Sequence, residues 1–336
     1  MSVTWEEAGW ERLGPRVGRR RLPDWDCTAG LVVGEGGALM IDAGSSLREG
    51  ARLRDEARGL LGTGVRLLEG VRPDPGPGGP PPGEGTTGSG GGGLARHGAG
   101  TGAEPREDPL SAPGGRRHGP EARRPRGSTP LGAEAWGPSE GAPPAPGPRR
   151  LPAVDRRVTH LALTHSHFDH VFGAAAFAGV EVFGAAGLDT VLAHGGEELR
   201  ADAVRNGLDP REAAEAADLL VRPGHQVSGE WTLDLGGGTR VLLANVGPGH
   251  TGHDLVVLVP GSPSEPGIVF CGDLVEESGE PQAGPDAEPS RWPAALDRLL
   301  GLGGEDAVYV PGHGAVVDAA FVRAQRDTLA ARFGVS

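Results

Sequence analysis

Apolar residues fall along this chain in short runs, and the period of each run predicts its local structure. Thr28 to Val33 and Ala38 to Asp42 are two β-type runs split by Gly34 to Gly37, the pattern of a hairpin. Ser46 can cap a following helix, whose stripe of Leu47, Leu53, Ala57 and Leu60 or Leu61 repeats at helical spacing. Farther on, Val158 to Leu163 predicts a strand, Val171 to Ala178 the start of a helix, and Val180 to Phe183 another strand. Two or three helices are expected across Ala185 to Leu220, with Asp209 and Pro210 marking one start. Short strands at Trp231 to Leu235, Arg240 to Val246, Leu255 to Val259 and Ile268 to Cys271 then predict a second sheet. Trp292 to Leu300 reads as a helix, Ala307 to Val310 as a strand, and Asp318 to Phe333 as a terminal amphipathic helix.

Between the first helix and the strand at Val158 the pattern stops. Half of the residues from Pro73 to Pro148 are Gly or Pro, and Leu94, Leu110, Leu131 and Trp136 are the only large apolar residues, too few for a core. The division expected is therefore 1–72 as the first part of one catalytic domain, 73–148 as a disordered low-complexity insertion, and 149–336 as the remainder. If the strand ending at Asp42 points toward a functional edge, the helix runs back and the insertion leaves from the opposite edge. It is expected to be a dispensable tether, whose replacement by a short Gly/Ser linker leaves metal content and turnover nearly unchanged.

Composition narrows the function. A formal charge of -13 lacks the basic stripe that phosphate binding needs, so no nucleic-acid partner is expected. All 32 basic residues are arginine, and with no lysine a Schiff base, a P-loop lysine and a Ser-x-x-Lys acyl enzyme are excluded. Cys27 and Cys271 are the only cysteines, which gives no disulfide framework and makes Cys271 a small core residue. No apolar run approaches the length of a membrane span and the first residues do not read as a signal peptide; a cytoplasmic location without membrane association is expected.

The candidate chemistry is concentrated between Thr164 and His170, which read T-H-S-H-F-D-H. His165 and His167 leave the strand two residues apart, so alternation points both imidazoles the same way and they can share a metal. Asp169 and His170 follow at the expected helix start, where their side chains diverge and could serve a second ion. Imidazole and carboxylate donors suit zinc, and also accept iron or manganese. Three further donors each follow an apolar run beside glycine: His250 in G-P-G-H-T, Asp273 in C-G-D-L and His313 in P-G-H-G.

This order of strand-end residues, H-x-H-x-D-H, then H, D and H, resembles the metallo-β-lactamase superfamily, and especially its glyoxalase-II-like hydrolases, over most of the chain outside the insertion. The resemblance implies an α/β fold, an αββα four-layer sandwich with metals at one edge of its two sheets. It implies that His165, His167 and His250 bind a first metal, that Asp169, His170 and His313 bind a second, and that Asp273 bridges both. Two zinc ions would be the cofactors, and Asp169 and Asp273 the catalytic carboxylates. Asp42, otherwise a turn residue, would be a carboxylate that orients the metal histidines.

The activity so implied is hydrolysis of a carbonyl-centred bond in a small molecule by a hydroxide held between the metals, with a thioester, ester, lactone or β-lactam as substrate class. The chain departs from glyoxalase II itself: 23 residues follow His313, with no room for a helical substrate domain, and no lysine can hold a glutathione carboxylate. The alternative is non-haem iron chemistry of the persulfide dioxygenase type; flavodiiron relatives usually show a glutamate where His167 stands. A third is a metal-binding scaffold without catalysis. His160, His194, His225 and His253 are expected not to be ligands, with His253 close enough to His250 to reach the pocket, and Trp25 is expected to pack rather than to touch substrate.

Overall fold

The structure is a computed structural model that describes residues 3–62 and 157–335. The insertion expected over 73–148 lies outside the described residues. In chain order the first part carries β1 (Glu11–Gly14), β2 (Val17–Arg21), β3 (Thr28–Val33), β4 (Ala38–Ile41) and α1 (Leu47–Gly62). The second carries β5 (Val158–Ala162), α2 (Phe168–Val171), β6 (Glu181–Ala185), α3 (Leu188–His194), α4 (Gly196–Arg205), α5 (Pro210–Asp218) and β7 (His225–Val227). It continues with β8 (Glu230–Asp234), β9 (Arg240–Asn245), β10 (Leu255–Val259), β11 (Ile268–Glu276), α6 (Trp292–Gly303), β12 (Val308–His313) and α7 (Ala319–Phe333).

Two sheets result, ordered β1-β2-β3-β4-β5-β6-β7 and β12-β11-β10-β9-β8. Strands β1 to β4 pair antiparallel, and β4 to β7 pair parallel through helical crossovers. In the second sheet only the β11–β12 pair is parallel. Alternation along each strand builds three apolar layers. In β4, Leu39 and Ile41 face the space between the sheets with Leu243, Val257 and Phe270, whereas Ala38 and Met40 face the helical layer with Leu53, Leu60 and Leu161. In β11, Ile268 and Phe270 face inward, and Val269 and Cys271 face α6 and α7 with Trp292, Leu296 and Leu329. This is the four-layer αββα arrangement, with Cys271 in the core as expected.

Two expectations need correction, and one hairpin left no trace in the sequence pattern. The β1–β2 hairpin was not legible, because β2 reads VGRRR; Arg19 is buried only because Glu11 and the carbonyl of Gly314 take its guanidinium. The helix expected from Val171 to Ala178 is instead one turn at α2 followed by a 3-10 turn at Ala174–Phe177. The strand expected to end at Cys271 runs on to Glu276, so Asp273 lies within β11 rather than after it. As expected, β4 runs toward Asp42 and α1 returns: Arg58, late in α1, and Arg157, before β5, line one hollow at the far edge. Among the described residues, no helix is long and apolar enough to cross a membrane.

Candidate metal centre

All seven sequence-predicted donors lie at one edge of the sandwich, where β4, β5, β11 and β12 end. Strand β5 stops at Ala162, so His165 and His167 leave a turn rather than a strand, and α2 carries Asp169 and His170 in its single turn. The rings still converge: His165 and His167 centroids are 4.7 Å apart, His165 and His250 4.9 Å, and His167 and His250 4.7 Å. The turn that delivers His250 is fixed by buried Asp254, which accepts from the backbone N–H and the hydroxyl of Thr251.

Asp273 lies where the donors meet. Its Oδ2 is 3.6 Å from His165 Nε2, 3.5 Å from His250 Nε2 and 3.3 Å from His313 Nε2, and its Oδ1 is 3.1 Å from His170 Nε2. Asp169 Oδ2 is 3.3 Å from His313 Nε2 and 3.6 Å from His170 Nε2. Two glycines make this approach possible. Gly272 has φ +54, which a side chain disfavours, and a Cβ on Gly312 would collide with Asp273 Oδ1.

The outer nitrogen of each imidazole is tied to an acceptor, which settles the face it turns inward. His170 Nδ1 donates to Asp42 Oδ2 (2.9 Å), His250 Nδ1 to the carbonyl of Gln282 (3.1 Å) and His313 Nδ1 to the carbonyl of Trp25 (2.7 Å). Thr164 gives its hydroxyl proton to Asp42 Oδ2 (2.8 Å), so Oγ1 can only accept from His165 Nδ1 at 3.0 Å. His167 is reversed: its Nε2 donates to Asp286 Oδ2 (3.2 Å) and Nδ1 points inward. In their neutral forms all five rings therefore present a lone pair to a common space.

That arrangement fits cations. His165 Nε2 is buried without a hydrogen-bond partner, His170 Nε2 and Asp273 Oδ1 face each other at 3.1 Å, and His167 Nδ1 faces His250 Nε2 at 3.0 Å, a pair that needs either a proton or a metal ion between them. Among the described residues, His165, His167, His250 and Asp273 form one group able to hold an ion, and His170, Asp273 and His313 another, with Asp273 common to both.

Electrostatics point the same way. Burial holds His165 well below its ordinary range, helped by neighbouring His170, and lowers His250 to about 4, so both stay neutral. Burial opposes charge on His170 and His313 too, but Asp273 and Asp169 outweigh it, raising His170 well above its ordinary value and His313 to about 12. Asp273, despite burial, is held well below the carboxylate range by His170, His313 and His165. The field that draws protons onto two histidines is the field that would retain a cation.

Asp42 serves His170, as the resemblance implies, from a left-handed backbone (φ 58) that a non-glycine residue rarely adopts. Several other contributors were not read from sequence. The carbonyls of Trp25 and Gln282 carry no side-chain signal, and Asp286 stands in a polar loop without apolar period. Cys27 donates its thiol to the Asp169 carbonyl (3.1 Å) and forms a third group with Asp169 and His170; burial keeps the thiol protonated. Trp25 packs edge-on against Phe168, 5.4 Å between centroids. His160, His194, His225 and His253 belong to none of the ion-holding groups; His253 Nδ1 donates to the carbonyl of Ala186 (2.9 Å).

Comparison with known proteins agrees with this fold. The profile of the Metallo-beta-lactamase superfamily matches residues 113–313. Metallo-beta-lactamase domain-containing protein 1 of Xenopus laevis is 30% identical over 159 residues, 47% of this chain and 54% of its own length, so the match spans about half of that relative. Among solved structures, the metallo-beta-lactamase from Pontibacter korlensis aligns over 95% of this chain and 97% of its own, with a TM-score of 0.51 at 15% identity. The metallo-beta-lactamase FIM-1 from Pseudomonas aeruginosa, in its mono-zinc form, covers 100% and 98% with a TM-score of 0.50 at 14% identity, a likeness of fold. The chain belongs to the metallo-β-lactamase superfamily, and its His/Asp groups imply use of a divalent metal.

Proposed function

We propose that this protein is a binuclear metallo-hydrolase that cleaves a carbonyl-centred bond, of the thioester, ester, lactone or β-lactam class, in a small molecule. The observation that carries the reading is Asp273: one carboxylate common to two donor groups, with every surrounding imidazole pinned so that its lone pair faces inward. His165, His167 and His250 would hold one zinc, Asp169, His170 and His313 the other, and Asp273 both. When bound, such ions supply Lewis acidity and bring the pKa of water toward neutrality.

The chain's own part is positioning and charge. Asp273, ionised and buried where the donors meet, is placed to orient the attacking water. Asp169 adds the second carboxylate, held toward His313 Nε2. No serine, cysteine or lysine nucleophile is required; the chain has no lysine and Cys27 is kept as a thiol.

The test is metal analysis of the purified protein followed by a panel of thioesters, esters, lactones and β-lactams. Two zinc ions per chain and turnover of at least one class are expected. Iron as the native metal, with oxygen uptake and no hydrolysis, would replace this reading with the dioxygenase one.

A further inference from the structure

The two donor groups are braced from different parts of the chain. His170 rests on Asp42, at the end of β4, and His313 on the carbonyl of Trp25, so the group holding Asp169, His170 and His313 is set by the first forty-odd residues. The three-histidine group is set otherwise. His165 leans on Thr164, which Asp42 holds in turn, but His250 Nδ1 and His167 Nε2 both donate to one loop, 277–291, through the Gln282 carbonyl and the Asp286 carboxylate. That loop is itself tied down: Glu288 N–H donates to the carbonyl of Gly249 (2.9 Å), and Arg332 of α7 donates to the carbonyl of Pro281 (3.0 Å).

His167 is the weak point of its group. It is the one imidazole of the five with Nδ1 inward, and its side chain is 25% exposed, whereas those of His165 and His250 are 1% and 4% exposed. Packing therefore leaves its ring freer to turn than its partners, and the bond from Nε2 to Asp286 is what opposes that turn. A carboxylate on the far nitrogen of a metal histidine fixes ring orientation and makes the inward nitrogen a better donor.

We infer that Asp286 is the positioning residue of the three-histidine centre, and that its loss weakens metal binding there more than at the centre that holds His170 and His313. The inference rests on the reading of these histidines as metal ligands. It adds that the affinity of this one centre is controlled from the 277–291 loop, through Asp286, and not from the H-x-H-x-D-H segment alone.

The experiment is a zinc titration of full-length protein labelled with 15N at histidine, at free zinc set by a chelator buffer, on wild type, Asp286→Ala and Asp286→Asn. In Asp286→Ala, the ring nitrogens of His165, His167 and His250 should respond only at 10- to 100-fold higher free zinc. Those of His170 and His313 should respond at the wild-type concentration. Asp286→Asn, whose amide oxygen can accept from the same Nε2–H, should recover most of the difference. Parallel loss at all five rings, or no change at any, would overturn the inference. If wild type binds no zinc, the metal-ligand reading fails instead. The nitrogen shifts of metal-free protein still decide the positioning role: His167 should hold its proton on Nε2 in wild type and lose that single state in Asp286→Ala.

Discussion

Oδ2 of Asp42 lies 2.9 Å from Nδ1 of His170 while also accepting the hydroxyl of Thr164 at 2.8 Å, and Oδ1 of the same carboxylate takes the Thr164 N–H at 2.8 Å. One buried side chain thus joins the end of β4 to the turn after β5 and orients two imidazoles, His170 directly and His165 through Thr164. Asp42→Ala should weaken zinc binding at the His170 centre by about 10- to 100-fold. It should also destabilise the metal-free protein by about 1–3 kcal/mol, because the Thr164 N–H loses its acceptor. Metal competition and denaturant titration measure the two effects separately.

His165→Ala or Asp273→Ala should abolish turnover while far-UV circular dichroism stays that of the wild type. Each removes a donor from the shared space and breaks no ladder bond of either sheet. Wild-type activity in either variant would discard the assignment of these residues.

Gly312→Ala is a steric probe of the same carboxylate. Its added methyl would overlap Asp273 Oδ1, and relief requires Asp273 or the β12 backbone to move. Overpacking of this kind costs about 1–3 kcal/mol. Bound zinc, measured by elemental analysis, should fall with it.

Asp254 gives a pH signature in metal-free protein. Burial raises its pKa from 3.8 to about 7, against the opposing hydrogen bonds from Thr251. Because the folded value exceeds the unfolded one, the folded state holds the proton more tightly. The stability this contributes is full below about pH 4 and is lost as pH rises through 7. Asp254→Asn keeps an acceptor for Thr251 and cannot titrate. The stability of wild type relative to Asp254→Asn should therefore decline between about pH 4 and pH 7 and level off above, as read from paired melting curves; parallel curves would remove Asp254 as the titrating group.

Chelation supplies a last check. A ligand that binds only the folded state stabilises it by RT ln(1 + [L]/Kd), so removing zinc should lower the melting temperature and re-addition should restore it. The drop should be smaller in Asp273→Ala than in wild type.

What the sequence made legible follows from which interactions leave a local trace. Strands β3, β4, β9 and β10 were readable because Leu39 and Met40, or Val256 and Val257, must face opposite apolar layers. His250, Asp273 and His313 were found because ligand-type residues sit beside glycine at the ends of such runs. Strands β1 and β2 were missed because their burial depends on Arg19 meeting Glu11 and Gly314, a pairing that no periodicity announces. Asp286 and the carbonyls of Trp25 and Gln282 were missed for a related reason: they act through distant chain contacts, and a carbonyl is the same in every residue. The direction of His167 depended on that loop, and alternation along a strand could not have supplied it.

The ladder between β4 and β5 has an evolutionary consequence. Met40 pairs with Leu161 and Ile41 with Ala162, and this register alone delivers Asp42 to Thr164 across more than a hundred intervening positions. Metal content at that edge is therefore expected to survive a change in the number of residues in between, since doubling a connection adds only about 0.6 kcal/mol of closure entropy. Chains of this family that differ in the length of that connection should then keep the Asp42–Thr164 contact, which structures of such relatives would check.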